Sequence, residues 1–345
     1  MSEDLVYALP PFETDFDVAD FVDNISSRSP PQSSMIFSGT RNVTATYTIA
    51  GTFCTPGPGH KNGKSQTVLI ATHGLNFDRW YWDPKPRPDL YSFVDFAINQ
   101  GYSVFFYDRL GTGQSSRVSG YVAQLSNQVA ILRKITHLIR NGKYLKGFGK
   151  PKSVVLVGHS FGSSLSLATI TAEPSIADGL ILTGYSLNAT YLNGIGFFLA
   201  SQPRIAAKQH PKKWRQLDTG YLTTADLYSN VNTFFKKPNY DTGISKYSEN
   251  TKQPFAITEL LSASAFTVQP LNYTGPTMII SGEYDFIFCT SDCNGVLEFP
   301  ASHIFSKSKA FKAVSYSGAG HGLNLHLNAV GAFQEVMSFL SCNGL

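Results

Sequence analysis

Ser153-Val154-Val155-Leu156-Val157-Gly158-His159-Ser160-Phe161-Gly162 is the stretch from which the fold can be read. Four of its first five residues are apolar, and three of those are β-branched, the signature of a buried strand. Beyond it, Ser163 to Ala172 is rich in Leu, Ala and Ser and predicts a helix. Between them stands G-x-S-x-G. A bare match to that pattern arises often by chance, but strand, sharp turn and helix together make it a nucleophile elbow. The two glycines let strand and helix approach closely at the turn. The serine is then held at a helix N-terminus, where the dipole favours developing negative charge.

A serine of this kind needs a base, a carboxylate to orient the base, and backbone donors for an oxyanion. The chain holds eight histidines. His321 follows the alternating run Phe311 to Tyr316 and the loop Ser317-Gly318-Ala319-Gly320, and Gly322 follows it. A histidine flanked by glycines just past a late strand can swing over a sheet edge. His73 sits in another motif, His159 inside the elbow, His60 in a Gly/Pro-rich loop and His137 on a helix face. His210 and His303 lack a preceding strand. His326 is the rival, but the periodicity places it inside the last amphipathic helix. For the carboxylate, Pro276 to Ser281 predicts a parallel strand with Gly282-Glu283-Tyr284-Asp285 at its C-terminal end, where catalytic groups of open α/β sheets collect. Asp285 is the candidate, with Glu283 and Asp292 as alternatives.

Thr67 to Thr72 is another buried-strand run, ending in His73-Gly74-Leu75-Asn76. The glycine permits a tight turn that can aim an amide at the serine. Gly101 to Tyr107 predicts a strand leading into Asp108-Arg109-Leu110-Gly111-Thr112-Gly113-Gln114-Ser115. In that loop Asp108 reads as a hydrogen-bond acceptor that holds the turn rather than as an acid in the reaction.

These segments, in this order, resemble the α/β-hydrolase-fold serine hydrolases, whose triad runs Ser, Asp, His along the chain. The likeness spans nearly the whole chain. It is nearest to fungal α/β-hydrolases with an H-G-L-x-F-D motif before an aromatic segment, here His73 to Asp83. The resemblance implies Ser160 as nucleophile, Asp285 as orienting acid and His321 as base. It also implies an oxyanion hole made by the amides of Leu75 and Phe161. Epoxide hydrolases and haloalkane dehalogenases share the scaffold but carry aspartate at the elbow, and Ser160 argues against both.

The length of 345 residues suits one large α/β domain with an insertion, or two ordinary domains. Strand–helix alternation from Thr67 to Leu182 predicts a mostly parallel sheet with helices on both faces. The rhythm stops after Gly184 and resumes near Pro276. The expected architecture is therefore a core of residues 1–184 and 272–345 and an inserted helical cap of residues 185–271. Residues 1–40 form an N-terminal arm, with a break at Pro30-Pro31 and a helix around Asp15 to Asn24. Val43 to Phe53 alternates like an antiparallel edge strand. Many aromatics crowd the insertion, the densest stretch running from Tyr221 to Tyr247, and those facing the ligand would line a largely apolar pocket.

The net charge of +4, without a basic stripe, gives no sign of nucleic-acid binding, and no apolar run reaches the length of a membrane span. The four cysteines lack zinc spacing, so neither metal nor cofactor is expected. Cys289 and Cys293 are close enough for a small disulfide. Cys54 and Cys342 could pair only if the first strand met the last helix. The sequons at Asn24, Asn42, Asn188 and Asn272 are about as many as this Ser/Thr content produces by chance. The N-terminus shows no signal-peptide pattern. The fungal resemblance implies secretion, with a cytoplasmic protein as the alternative. The expected chemistry is cleavage of an ester, lactone or thioester of a medium-to-large apolar small molecule. The competing readings are acyl transfer or cyclisation in natural-product biosynthesis, and a non-catalytic binding protein on this scaffold.

Overall fold

The computed structural model describes residues 1–27, 37–57, 63–144, 147–192 and 194–345; Pro30-Pro31 and His60 lie outside them. The arm contains two strands, β1 (Ser2–Tyr7) and β2 (Phe37–Val43), paired antiparallel. Its helix, Asp15–Ser26, begins at a capping box in which Thr14 receives the Asp17 amide and Asp17 returns a bond to Thr14.

The central sheet has seven strands. In chain order they are β3 (Gly51–Cys54), β4 (Thr67–Thr72), β5 (Ser103–Tyr107), β6 (Ser153–His159), β7 (Gly179–Thr183), β11 (Thr277–Gly282) and β12 (Phe311–Tyr316). Across the sheet the order is β12-β11-β7-β6-β4-β5-β3, parallel throughout except for β3, which runs antiparallel to β5 at one edge. Every residue of β4, β5, β7 and β11 is buried. Helices cover them, so they read as continuous apolar runs rather than alternating ones. β12 is an edge strand and stays half-buried, which is why its sequence alternates. The edge strand predicted over Val43–Phe53 is shorter and later, Gly51–Cys54, because residues up to Val43 pair with β1 instead.

From β4 the chain moves outward to β5, then returns to the other side of β4 to build β6, β7, β11 and β12 in turn. The strand order reverses between β4 and β6, and the loops leaving those two strands flank the crevice at that switch point. His73-Gly74-Leu75 leaves β4, and Ser160 leaves β6.

Residues 185–271 hold the helices Gly194–Ser201, Leu227–Phe234, Thr242–Thr251 and Ile257–Ser264. They also hold a small antiparallel sheet of β8 (Arg204–Ile205), β9 (Tyr221–Thr223) and β10 (Phe255–Ala256). The insertion is thus not purely helical. Strands of two or three residues are too short to leave a period in the sequence. The last helix starts only at Ala329, so His326 lies before it in a buried loop, which corrects the expected placement. Cys289 and Cys293 are disulfide-bonded, whereas Cys54 and Cys342 are free thiols. Among the described residues no helix is long and apolar enough to cross a membrane.

Candidate active site

Ser160 has φ 55° and ψ −120°, a backbone that side-chain-bearing residues rarely adopt. Such a geometry costs about 1–3 kcal/mol and persists only where the surroundings enforce it. Here they do. The Ser160 amide donates to Thr183 O on β7 at 2.9 Å. A Cβ on Gly162 would sit 2.0 Å from Thr72 O, and one on Gly158 would sit 2.5 Å from Gly162 O. Only glycine lets the helix Phe161–Ala172 press this closely on the end of β4. The turn thereby presents the serine hydroxyl at the helix N-terminus, partly accessible in otherwise buried surroundings.

Asp285 and His321 reach it from the ends of β11 and β12. His321 Nε2 lies 2.9 Å from Ser160 Oγ, and His321 Nδ1 lies 2.8 Å from Asp285 Oδ2. Asp285 and His321 are both shut off from solvent. The carboxylate's other oxygen accepts the amides of Ile287 and Phe288, each at 3.0 Å. Those bonds fix its orientation. With Asp285 accepting at Nδ1, the Nδ1–H tautomer leaves Nε2 free to accept a proton from Ser160.

The alternatives do other work. Glu283 accepts the Gly318 amide and the Ser317 hydroxyl, each at 2.9 Å, and these bonds hold its carboxyl below the usual range. Asp292 is exposed and accepts the Asn294 amide. His137 pairs with Glu173 at the surface. His159 stacks on Tyr81, with centroids 4.3 Å apart, and lies 5.0 Å from the His321 ring. Burial and the neighbouring His321 and His73 push His159 well below the ordinary histidine range, so it stays uncharged beside His321. Asp108 accepts the amides of Arg79 and Gln114 and pairs with the Arg79 guanidinium, holding its loop as expected.

Gly74 touches the serine. A Cβ there would lie 2.9 Å from Ser160 Cβ. The Gly74 backbone therefore packs directly against the Ser160 side chain, and no backbone acceptor within the described residues engages the Leu75 amide. Phe161 opens its helix, so its amide has no intrahelical acceptor. Leu75 and Phe161 thus both lie beside Ser160, and among the described residues no acceptor engages either amide. Among the described residues no group of three or more His, Cys, Asp or Glu is placed to hold a metal.

The sequence profile of the alpha/beta hydrolase family matches residues 68–333. The chain belongs to the alpha/beta hydrolase family. No curated protein matches the sequence. Among solved structures it is similar to an esterase from Exiguobacterium antarcticum, with a TM-score of 0.57, 16% identity, and 86% of this chain and 96% of that one covered. A soluble variant of the Saccharomyces cerevisiae monoglyceride lipase gives 0.56 at 15% identity, covering 88% and 94%. The monoacylglycerol lipase of Paleococcus ferrophilus gives 0.56 at 13%, covering 86% and 99%. At such identities the likeness is one of fold, and alpha/beta hydrolases must be told apart by their sites.

Four residues that matter to this alpha/beta hydrolase site carry no local sequence signal of the part they play in it. Phe234 of the inserted segment stacks near His321, centroids 5.8 Å apart, and packs on Phe77 at 4.9 Å. Arg109 and Glu259, 150 positions apart, form a buried ion pair beneath the Gly74 turn. Nothing local in the sequence marks that partnership. His326, by sequence a rival base, instead knits the His321 loop together through its ring.

Proposed function

We propose that this protein is a serine hydrolase that cleaves a carboxylic ester, lactone or thioester through an acyl-enzyme. The observation that carries the reading is the hydrogen-bonded line from Ser160 Oγ through His321 to Asp285. Ser160 Oγ attacks the carbonyl carbon and its proton passes to His321 Nε2. Asp285 stabilises the imidazolium and holds its tautomer. The carbonyl oxygen, now negative, is received by the amides of Leu75 and Phe161, each donor worth about 3 kcal/mol of barrier. Collapse expels the alcohol or thiol, which takes the proton from His321. Water then gives a proton to His321 and its oxygen to the acyl carbon; the second tetrahedral intermediate breaks its bond to Ser160 Oγ, which takes the proton back from His321, and the free acid leaves.

Residues 185–271 act as a cap over the core formed by 1–184 and 272–345. The rings of Phe77, Tyr185, Phe234 and Phe288 gather around the triad, with Phe288 5.7 Å from His321 and 4.9 Å from Tyr185. Such a lining favours a medium-to-large apolar substrate. The test is labelling with a fluorophosphonate, followed by a panel of esters, lactones and thioesters of graded size. Wild type should label and release free acid, and Ser160→Ala should do neither. Labelling of Ser160→Ala would overturn the reading, and acyl groups recovered only on an added alcohol would redirect it to transfer.

A further inference from the structure

Arg109 follows the end of β5, yet its side chain reaches both sides of the serine. Its guanidinium is 1% exposed and is paired with Glu259, itself 2% exposed, from the inserted segment. Gln128 joins the pair, its Oε1 accepting from Arg109 Nη1 at 2.9 Å while its Nε2 donates to Glu259 at 2.7 Å. A charge pair so deeply buried is poor evidence of a stabilising role, since desolvation offsets most of the attraction. Its position suggests another use. Arg109 Nη2 donates to Gly74 O at 3.3 Å, and the guanidinium carbon lies 4.8 Å over the Phe161 ring.

The Gly74 carbonyl and the Leu75 amide belong to one planar trans peptide, so whatever fixes the C=O fixes the N–H, which points the opposite way. Two donors hold that oxygen. One is Arg109 Nη2; the other is His73 Nδ1 at 2.8 Å. The His73 tautomer is itself set by Arg109, whose backbone amide donates to His73 Nε2 at 3.0 Å. Burial, then the Arg109 and Arg79 charges, push His73 well below the ordinary histidine range, so the ring remains neutral and keeps that arrangement.

We infer that Arg109, clamped by Glu259 and Gln128, is the positioning residue of the oxyanion hole. It aims and polarises the Leu75 amide through Gly74 O and seats Phe161, whose amide is the second donor. This rests on the serine-hydrolase reading above. It also gives the inserted segment a part in catalysis: through Glu259, the helix Ile257–Ser264 is tied to the turn that borders Ser160.

The test uses Arg109→Met/Glu259→Met, which removes both charges at similar volume and so leaves no unpaired buried ion. Arg109→Lys is the second variant; it keeps the charge but lacks the fork that serves Gly74, Gln128 and Glu259 together. Both should lower kcat on a small activated ester by about 10- to 100-fold, with KM changed less than about threefold. Affinity for a trifluoromethyl ketone, which forms an oxyanion with Ser160, should fall in parallel, while that for the corresponding alcohol should hold. A folded double variant with unchanged kcat, or an equal loss of affinity for ketone and alcohol, would overturn the role of Arg109. Ser160→Ala in the same assay separates the two ideas, since residual activity there would sink the serine-hydrolase reading itself.

Discussion

His326 Nε2 accepts the Gly320 amide at 3.0 Å, so one buried histidine holds the loop that carries the other, His321. The same nitrogen accepts the Lys236 amide at 3.1 Å, and Nδ1–H donates to Gly322 O at 3.0 Å. The ring thus bonds to both flanks of His321 and to the segment behind Phe234. It has no free nitrogen with which to act as a base, and protonating Nε2 would set a proton against two N–H donors.

His326→Ala should therefore not be mild. It leaves the buried Gly320 amide unpaired, at about 1–3 kcal/mol, removes the partner of the partly buried Lys236 amide, and releases the His321 loop. Thermal melting should show the loss of stability. Steady-state kinetics should show kcat falling at least tenfold with the fluorophosphonate still labelling Ser160. Wild-type kcat in a folded His326→Ala protein would refute the positioning role.

The same ring makes a pH prediction. Burial pushes His326 down from 6.5 to about 4. Between about pH 6.5 and 4 the unfolded chain binds a proton that the native protein refuses. The contribution of His326 should thus be full above pH 6.5 and fall by about 3 kcal/mol as the pH drops to 4, added to whatever the buried His73 and His159 lose. Urea unfolding at pH 7 and pH 4.5 measures this. His326→Gln, less stable at pH 7, should lose about 2 kcal/mol less than wild type on acidification. Equal acid losses in the two proteins would remove His326 as a source.

For the triad, Ser160→Ala and His321→Ala should each lower kcat by about 10⁴-fold or more without unfolding the protein. Asp285→Asn should be nearly as severe, because the amide supports the wrong imidazole tautomer. Circular dichroism checks the fold and ester turnover the rate. An active Asp285→Asn would shift the role to another carboxylate.

Phe234 tests the cap. Its ring borders His321 and Phe77, while its backbone carbonyl, which accepts the Gly322 amide at 2.7 Å, survives substitution. Phe234→Leu should cut kcat/KM on large apolar esters about tenfold and on a small activated ester less than threefold. An equal fall on both would mean that the ring only supports the triad.

The disulfide closes a loop of very few residues beside Asp285. Little unfolded-chain entropy is removed by so short a loop. Cys289→Ser/Cys293→Ser should cost about 2 kcal/mol in urea unfolding. A loss above about 4 kcal/mol would show that the bridge carries native contacts as well.

The parallel strands, the elbow and the order of the three polar residues were legible from sequence. Each is a local pattern: an apolar run, a glycine pair around a serine, a histidine between glycines after a strand. Asp285 and His321 follow β11 and β12, and in a parallel sheet strand ends meet on one side, so chain order implied that they converge. The short strands of the insertion were not legible, because two or three residues carry no period.

What only the tertiary structure decided is which distant groups share one buried space. His326 read as part of a helix because its neighbours are apolar, and its true environment depends on Gly320, Gly322 and Lys236 closing around it. Arg109 read as one member of a glycine-rich loop. Its charge has meaning only opposite Glu259, and that pairing arises because the insertion folds back onto the β4 turn. Local sequence specifies strands, helices and turns through backbone preference and apolar period. A buried charge or a shared imidazole is specified by burial, which no segment determines alone.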